Sequence, residues 1–445
     1  MSKSASSASK YDILSITKDD QEINLQGKTT SFDYYESLLS PNITATMTFM
    51  DTGGAVNYKK EYDKQERLAS VYNGLPITGG ERVKFKIASK LGTLDFSTDE
   101  KALLVNSASN PDQQSQRQVI VLSLFSQAAK TNQESVVYEK RQGNIGDSVT
   151  QLVKQHLKID KIESDKTKNS YPFIGNSNNV FEVILWLASK SIPENGIAGY
   201  FFYETRDGFK FKAIDNLIDQ EAVNKGNPYI KTAVLKSNQD NDDNDYKILA
   251  SSIKKNQSLI NALKSGAYIV RNIYFNPYNF KESEVEIPLD GKKEEESEKV
   301  LEGSKKDTVK LEKKLGKEVP LPDVKKFTRT HYDILDIGTL TPSGKGEGAI
   351  ENNPEEFQAQ STIRYNNLFR QVLSVQIPCN PNLKAGDVIQ CDFEIVTQDK
   401  KSVGATDPVQ SGSYLIVDLC HHFSPTRSIT SMTLVRDTYG KRKES

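Results

Sequence analysis

Apolar and polar residues alternate through Ile43-Thr-Ala-Thr-Met-Thr-Phe-Met50, with Ile43, Ala45, Met47 and Phe49 on one face and Thr44, Thr46 and Thr48 on the other. Period two with β-branched partners predicts a half-buried strand. A looser alternation over Tyr11 to Ile16, Gln21 to Leu25 and Phe32 to Leu39 predicts three more strands. Asp51-Thr-Gly-Gly54 closes the fourth as a turn, 57–73 reads as a charged loop, and Leu75-Pro-Ile-Thr-Gly-Gly80 restarts the sheet. Residues 11–126 are therefore expected as one antiparallel β-domain. Before it, residues 1–10 are small and polar without an apolar core, so they read as a flexible arm rather than a signal peptide.

The pattern changes after Ser126. Gly146-Asp147-Ser148 can cap a helix in which Val149, Leu152, Val153 and His156 or Leu157 recur at three- and four-residue steps. A second helix is expected from Asn178 to Ser191, stopped by Pro193. Tyr200 to Glu204 and Phe209 to Ala213 flank Arg206-Asp-Gly208 as a hairpin. Residues 127–245 are thus a small α/β domain, ending in an acidic surface loop from Asn238 to Asp245. Tyr246 to Leu263 reads as mixed and helical, and Gly266 to Phe280 as a strand that ends at Asn276-Pro277. That strand is expected to open a second β-domain (246–290), interrupted by a charged and helical insertion (291–370) and completed over 371–438, with a flexible tail at 439–445. Within the insertion, Lys292 to Lys317 mixes both signs of charge and reads as a solvated helix or loop. Asn353-Pro354-Glu355 starts a helix that would carry Phe357 and Ile363 toward a strand at Val372 to Ile377.

The closing strands repeat the opening ones. With the glycines aligned, Gly80-Glu-Arg-Val-Lys-Phe-Lys-Ile87 matches Gly386-Asp-Val-Ile-Gln-Cys-Asp-Phe393 as glycine, acid, any residue, then apolar and polar in alternation. Leu103-Leu-Val-Asn106 stands to Arg117 to Leu124 as Leu415-Ile-Val-Asp418 stands to Ser428 to Val435. Val105 to Val121 is 16 residues, and so is Val417 to Thr433. The fold expected is mainly β with α/β insertions: two related antiparallel β-domains in one chain and a small α/β domain.

Composition narrows the function. The chain has 445 residues, enough for several cores, and Lys+Arg 58 against Asp+Glu 59 leaves a net charge of -1. That balance disfavours a dedicated nucleic-acid binder or a binder of anionic membranes. No apolar run approaches the roughly 20 residues of a membrane span.

Candidate chemistry is sparse. Cys379, Cys391 and Cys420 lie on or beside predicted strands without CxxC spacing and read as small buried apolar residues. His156 falls on the first helix and His331 in the insertion. His421-His422 is the one adjacent pair, and neighbours on a strand point to opposite faces, which disfavours a shared metal. Acidic pairs such as Glu355-Glu356 and Asp242-Asp243 adjoin no apolar pocket motif. No nucleophile-elbow, zincin, phosphate-loop or dinucleotide motif occurs. The expectation is no catalytic, cofactor-binding or metal-ligating residue and no enzyme, although a cell-wall hydrolase is the enzymatic alternative.

The order of parts resembles the baseplate hub proteins of contractile-tailed bacteriophages and the hub-like N-terminal part of type VI secretion spike proteins. The resemblance rests on Ser40 to Asp51, Leu75 to Gly80, Gly266 to Phe280, Leu383-Lys-Ala-Gly-Asp387, the pattern Tyr414, Ile416, His421, and Leu434-Val-Arg-Asp437. Lys292 to Lys317 has no counterpart in it. It implies two tail-tube-like β-barrels per chain and a homotrimeric ring that adapts the six-fold tail tube to a three-fold central spike. It further implies a virion location after assembly in the host cytoplasm. The implied partners are the spike, the tube or a tube-adaptor ring, the wedge proteins and the tape measure protein, with only transient passage of DNA and no membrane insertion. The alternative is a carbohydrate- or receptor-binding β-rich tail protein, for which Tyr274, Phe275, Tyr278 and Phe280 would supply the aromatic surface.

Overall fold

The computed structural model describes residues 5–19, 21–54, 56–59, 66–114, 117–232, 245–255, 258–277, 280–289, 305–306, 313–317, 329–334, 354–398 and 404–440. Its main element is a 14-stranded sheet. The strands that organise its N-terminal part are β1 (Lys10–Lys18), β2 (Gln21–Asn24), β3 (Thr29–Ser37), β4 (Thr44–Asp51), β5 (Arg82–Ala88), β6 (Leu103–Gln114) and β7 (Arg117–Phe125). The predicted alternation is realised in β4, where Ala45, Met47 and Phe49 are buried with Leu14, Phe32, Phe85 and Leu122 in one core. Within 57–73, expected as a loop, Val56–Lys59 and Glu66–Ala69 form a small antiparallel pair, and Val71–Gly74 makes one helical turn.

The α/β part follows with α1 (Gln127–Glu134), α2 (Ile145–Leu152), α3 (Val180–Ala188), the hairpin β8 (Tyr200–Thr205) and β9 (Gly208–Ala213), and α4 (Ile214–Asp219). The first predicted helix begins two residues early because Asn144 caps it, its side chain accepting from the Gly146 N–H at 3.0 Å. It runs on as a π-helical turn through Val153–Leu157.

The C-terminal part contains β10 (Tyr229–Lys231), β11 (Ala250–Lys255), α5 (Leu259–Ser265), β12 (Ile269–Asn276), β13 (Lys281–Pro288), β14 (Arg329–Ile334), α6 (Pro354–Leu368), β15 (Gln371–Pro378), β16 (Val388–Phe393), β17 (Gly412–Phe423) and β18 (Ser428–Arg436). Two expectations change here. The strand within Gly266 to Phe280 does not join the large sheet: β12 pairs antiparallel with β13 and parallel with β14 in a separate four-stranded sheet. Its place is taken by β11, in the stretch read as helical, which pairs antiparallel with β15. Ile363 packs with Tyr268, Ile269, Val270 and Tyr274 of that separate sheet, rather than on β15.

Pairing order reveals a duplication. In the first half the strands lie β3-β4-β7-β6-β5-β1; in the second they lie β11-β15-β18-β17-β16-β10. Taken in chain order, the first, second and later strands of one set correspond one for one to those of the other. Every pair in both series is antiparallel except β10 with β16, which is parallel where β1 with β5 is antiparallel. The β1–β2 hairpin extends to Leu25, whose N–H donates to Leu14 O at 2.8 Å, and in the second half the Ile248 N–H, just before β11, donates to Ile230 O of β10 at 2.8 Å.

The expected flexible arm instead carries contacts. Ala5 is buried, its N–H donates to Asp245 Oδ1 at 2.8 Å, and the Cys379 and Ser428 N–H groups donate to Ala5 O and Ser6 O. Asp245, expected at a surface loop, is buried and pairs with Lys90 at 2.5 Å. At the other end Gly440 donates to Val409 O at 3.1 Å, while 441–445 lie outside the described residues. Most of Lys292 to Lys317 lies outside them too, as do Asn238 to Asn244, Asp242-Asp243 included. At its end Leu315 is buried and donates its N–H to Asp437 Oδ1 at 3.1 Å.

Candidate functional site: the seam between the halves

The two halves meet edge to edge. β3 pairs antiparallel with β17 from Phe32/Phe423 to Ser37/Asp418, so one sheet runs through both. Asp418 accepts from the Ser37 hydroxyl at 2.7 Å, and Asp33 meets His422 Nδ1 at 2.5 Å. The histidine pair therefore divides as alternation requires. His422 faces β3 and Asp33, whereas His421 is fully buried beside Thr430 Oγ1 at 2.9 Å and stacks on Tyr34, their rings 6.1 Å apart. Burial pushes the His421 imidazole down to about 3, so it is neutral at ordinary pH.

Glu36 ties three parts of the chain together. It is 2% exposed, and its carboxylate accepts from Tyr34 OH at 2.7 Å, the Arg206 N–H at 2.8 Å and the Ala385 N–H at 2.9 Å. Tyr34 belongs to the first half, Arg206 to the β8–β9 turn and Ala385 to the second half. Desolvation pushes Glu36 up to about 7 against the pull of these donors. Close by, Glu204 of β8 accepts from the Ile43 N–H at 3.0 Å and is likewise pushed up to about 7, chiefly by burial.

The predicted hairpin turn proves to be the wedge of this joint. Arg206 Nη1 donates to Pro381 O at 2.5 Å, and Asp207 pairs with Lys384 at 2.7 Å. Behind it lies an apolar layer of Leu38, Phe201, Tyr203, Ile214, Val388, Leu415, Val417 and Val435, drawn from both halves and the α/β part. A second lock uses Arg364 of α6, fully buried between Asp215 at 2.6 Å and Asp437 at 3.1 Å. These roles leave no mark in the local pattern of residues. An arginine in a turn or amphipathic helix reads as solvated, because its partners are far away in sequence.

The other residues singled out are not brought together. His156 bonds Glu139 at 3.0 Å on the π turn, and His331 lies on β14 in the separate sheet. Cys379 and Cys391 are buried and Cys420 half-buried, and burial raises all three thiols. Among the described residues no group of three or more His, Cys, Asp or Glu side chains is placed to hold a metal ion. Of the aromatics at 274–280, Tyr274 is buried and accepts from Asn272 at 2.7 Å, Phe275 and Phe280 are exposed, and Tyr278 lies outside the described residues. Glu355 and Glu356 fall in the first turn of α6. The arrangement is thus a joint whose acceptors face donors from three parts of the chain.

No family model matches the sequence, and no curated protein matches it. Solved structures do. The tail protein from Neisseria meningitidis MC58 superimposes with a TM-score of 0.53 at 10% identity, covering 96% of this chain and 96% of its own. The 43 kDa tail protein of prophage MuSo2 from Shewanella oneidensis gives 0.50 at 10% identity, covering 96% of this chain and 98% of its own. The mainly β fold with its large antiparallel sheet is therefore similar, over nearly its whole length, to the fold of these two tail proteins.

Proposed function

We propose that this chain is a structural hub of a contractile phage tail baseplate. Three copies form a ring that adapts the six-fold tube to a three-fold central spike and lines the channel for genome ejection. The carrying observation is the duplication: two six-strand units of the same order, joined edge to edge within one chain at β3 and β17. A trimer of such chains presents six similar units, each read as a barrel, which is the number needed to face a six-fold tube while keeping three-fold symmetry toward a spike.

The seam supports a mechanical role rather than a catalytic one. Its polar groups are engaged across three parts of the chain, and a rigid joint fixes the angle between neighbouring units. The division into an α/β domain at 127–245 and barrels either side of it belongs to this reading. So do the spike, tube or adaptor ring, wedge and tape measure proteins as partners, with the virion tail as the location. Near-neutral charge suits a conduit past which DNA slides without a run of phosphate contacts. Light scattering of the purified chain tests the reading. A mass of about 149 kDa, three times 49.8 kDa, is expected; a stable monomer at high concentration, with its spike present, contradicts it.

A further inference from the structure

The β3–β17 seam has a vacant counterpart. β17 pairs with β16 through Gly412 to Leu415 and then gives that edge to β3 from Asp418 to Phe423. Its equivalent, β6, pairs with β5 at Leu103 and Leu104. Past Val105 no described strand takes that edge, and Asn106, Ser107, Ser109 and Asp112 are exposed. β11, the equivalent of β3, ends the sheet: among the described residues it pairs with β15 alone, and Ser252, Ile253 and Lys254 are exposed. Pro111 falls in a second bulge of β6, between the pairs Val119/Asp112 and Val121/Ser109, where its missing N–H leaves no ladder bond unmade. One chain thus carries both halves of a second seam, on different edges.

We propose that β6 of one copy pairs antiparallel with β11 of the next, repeating the β17–β3 seam between molecules. The inference rests on the ring reading above and adds the edges and their register. The register follows from equivalences within the chain. A bulge falls after the pair Val105/Leu124 and after the pair Ile416/Leu434, which makes Leu124 and Leu434 equivalent. Counting along β7 and β18, Val119 then stands for Ile429, so Asp112, opposite Val119, stands for His422, opposite Ile429. By the same counting Thr46 stands for Ser374, each opposite an equivalent residue, so Ser252 stands for Asp33. His422 and Asp33 touch in the internal seam. Asp112 of one copy therefore faces Ser252 of the next, where the serine hydroxyl can donate to the carboxylate. A head-to-tail contact of this kind closes into a ring when its rotation allows, and unpaired edges supply the backbone groups that drive it.

The test is disulfide capture in the full-length double variant Asp112→Cys/Ser252→Cys, since directly opposed residues on antiparallel strands lie within bridging distance. Mild oxidation is expected to give a ladder of dimers and trimers that ends at three copies, which neither single variant gives. In the unmodified chain, hydrogen exchange should show the outward-facing amides of Ala108, Ser251 and Ile253 protected in the assembly and open in dissociated chains. Three-copy particles with neither cross-link nor protection overturn the pairing and leave the ring standing. A ladder running past three copies keeps the pairing and overturns the ring. Chains that remain monomeric overturn both.

Discussion

Glu81 and Asp387, 306 residues apart, hold their turns in the same way. Glu81 Oε1 accepts from the Thr78 N–H at 2.8 Å and Asp387 Oδ2 from the Lys384 N–H at 2.9 Å, each three residues back. The preceding glycines match as well: Gly80 donates to Val105 O at 2.8 Å and Gly386 to Ile416 O at 2.9 Å, at φ +87 and +89. Each acid returns the favour through its carbonyl, which accepts from Val105 or Ile416 at 2.9 Å. The turn that starts β5 is thus built again at the start of β16.

The glycine pair makes unequal predictions. An alanine at either position must hold a left-handed backbone, costing roughly 1–2 kcal/mol. At Gly80 nothing lies near the added Cβ, whereas at Gly386 it collides with the Tyr203 hydroxyl. Gly386→Ala should lose about 1–3 kcal/mol more than Gly80→Ala in urea denaturation; equal losses would show that Tyr203 moves aside freely.

Much of this was legible beforehand, for a definite reason. Gly80 and Gly386 require a backbone conformation that other residues avoid, and the alternation after them sets strand faces, so the repeat showed in the letters. The ladders move the matching by one residue along β6 and β17 and by two along β7 and β18: Val105 corresponds to Ile416, not to Val417, which occupies the bulge, and Val121 to Ser431, not to Thr433. β11 escapes the pattern because Ala250-Ser-Ser-Ile-Lys-Lys255 carries too few apolar residues to alternate, and among the described residues β15 alone pairs with it. The residues of β12 mark it as a strand, yet alternation says nothing about which sheet receives it. The seam itself could not be read, because Phe32 and Phe423 meet through tertiary choice, not local pattern.

Glu204 sets a pH dependence. Its pKa is raised to about 7 in the fold against an ordinary value of 4.5, so the folded chain binds more protons between those values. The group's contribution is fully present below the lower pKa and is lost as pH rises through about 7, at up to about 1.4 kcal/mol per pH unit. His421 works in the opposite direction. Held at about 3, it costs stability as pH falls below its ordinary 6.5. Glu204→Gln should therefore gain on the parent between pH 5 and pH 8 in parallel urea titrations. A difference that does not change with pH would refute the assignment.

Arg364 predicts a large loss. Arg364→Ala leaves Asp215 and Asp437 buried without their shared cation, and breaking such a network costs about 3–5 kcal/mol. Arg427→Ala, at an exposed position, should stay within about 0.5 kcal/mol. Denaturation midpoints of the two variants check the ranking, and similar small losses would mean that the Arg364 lock adds little.

The seam predicts a matching effect on domain arrangement. Asp33→Ala removes the acceptor from His422 without touching either core, so the chain should keep its secondary structure while proteolysis between the halves becomes faster. Limited proteolysis followed by mass spectrometry reads this out. Unchanged cleavage would show that the backbone ladder and Glu36 hold the joint unaided.

The most direct test of the ring is cryo-electron microscopy of the purified chain, alone or in its tail. Particles with three-fold symmetry are expected, in which six similar β-units surround a channel, two from each chain, related by superposing β3-β4-β7-β6-β5 on β11-β15-β18-β17-β16. Particles of any other symmetry, or a ring in which only one of the two units of each chain lines the channel, would contradict this arrangement.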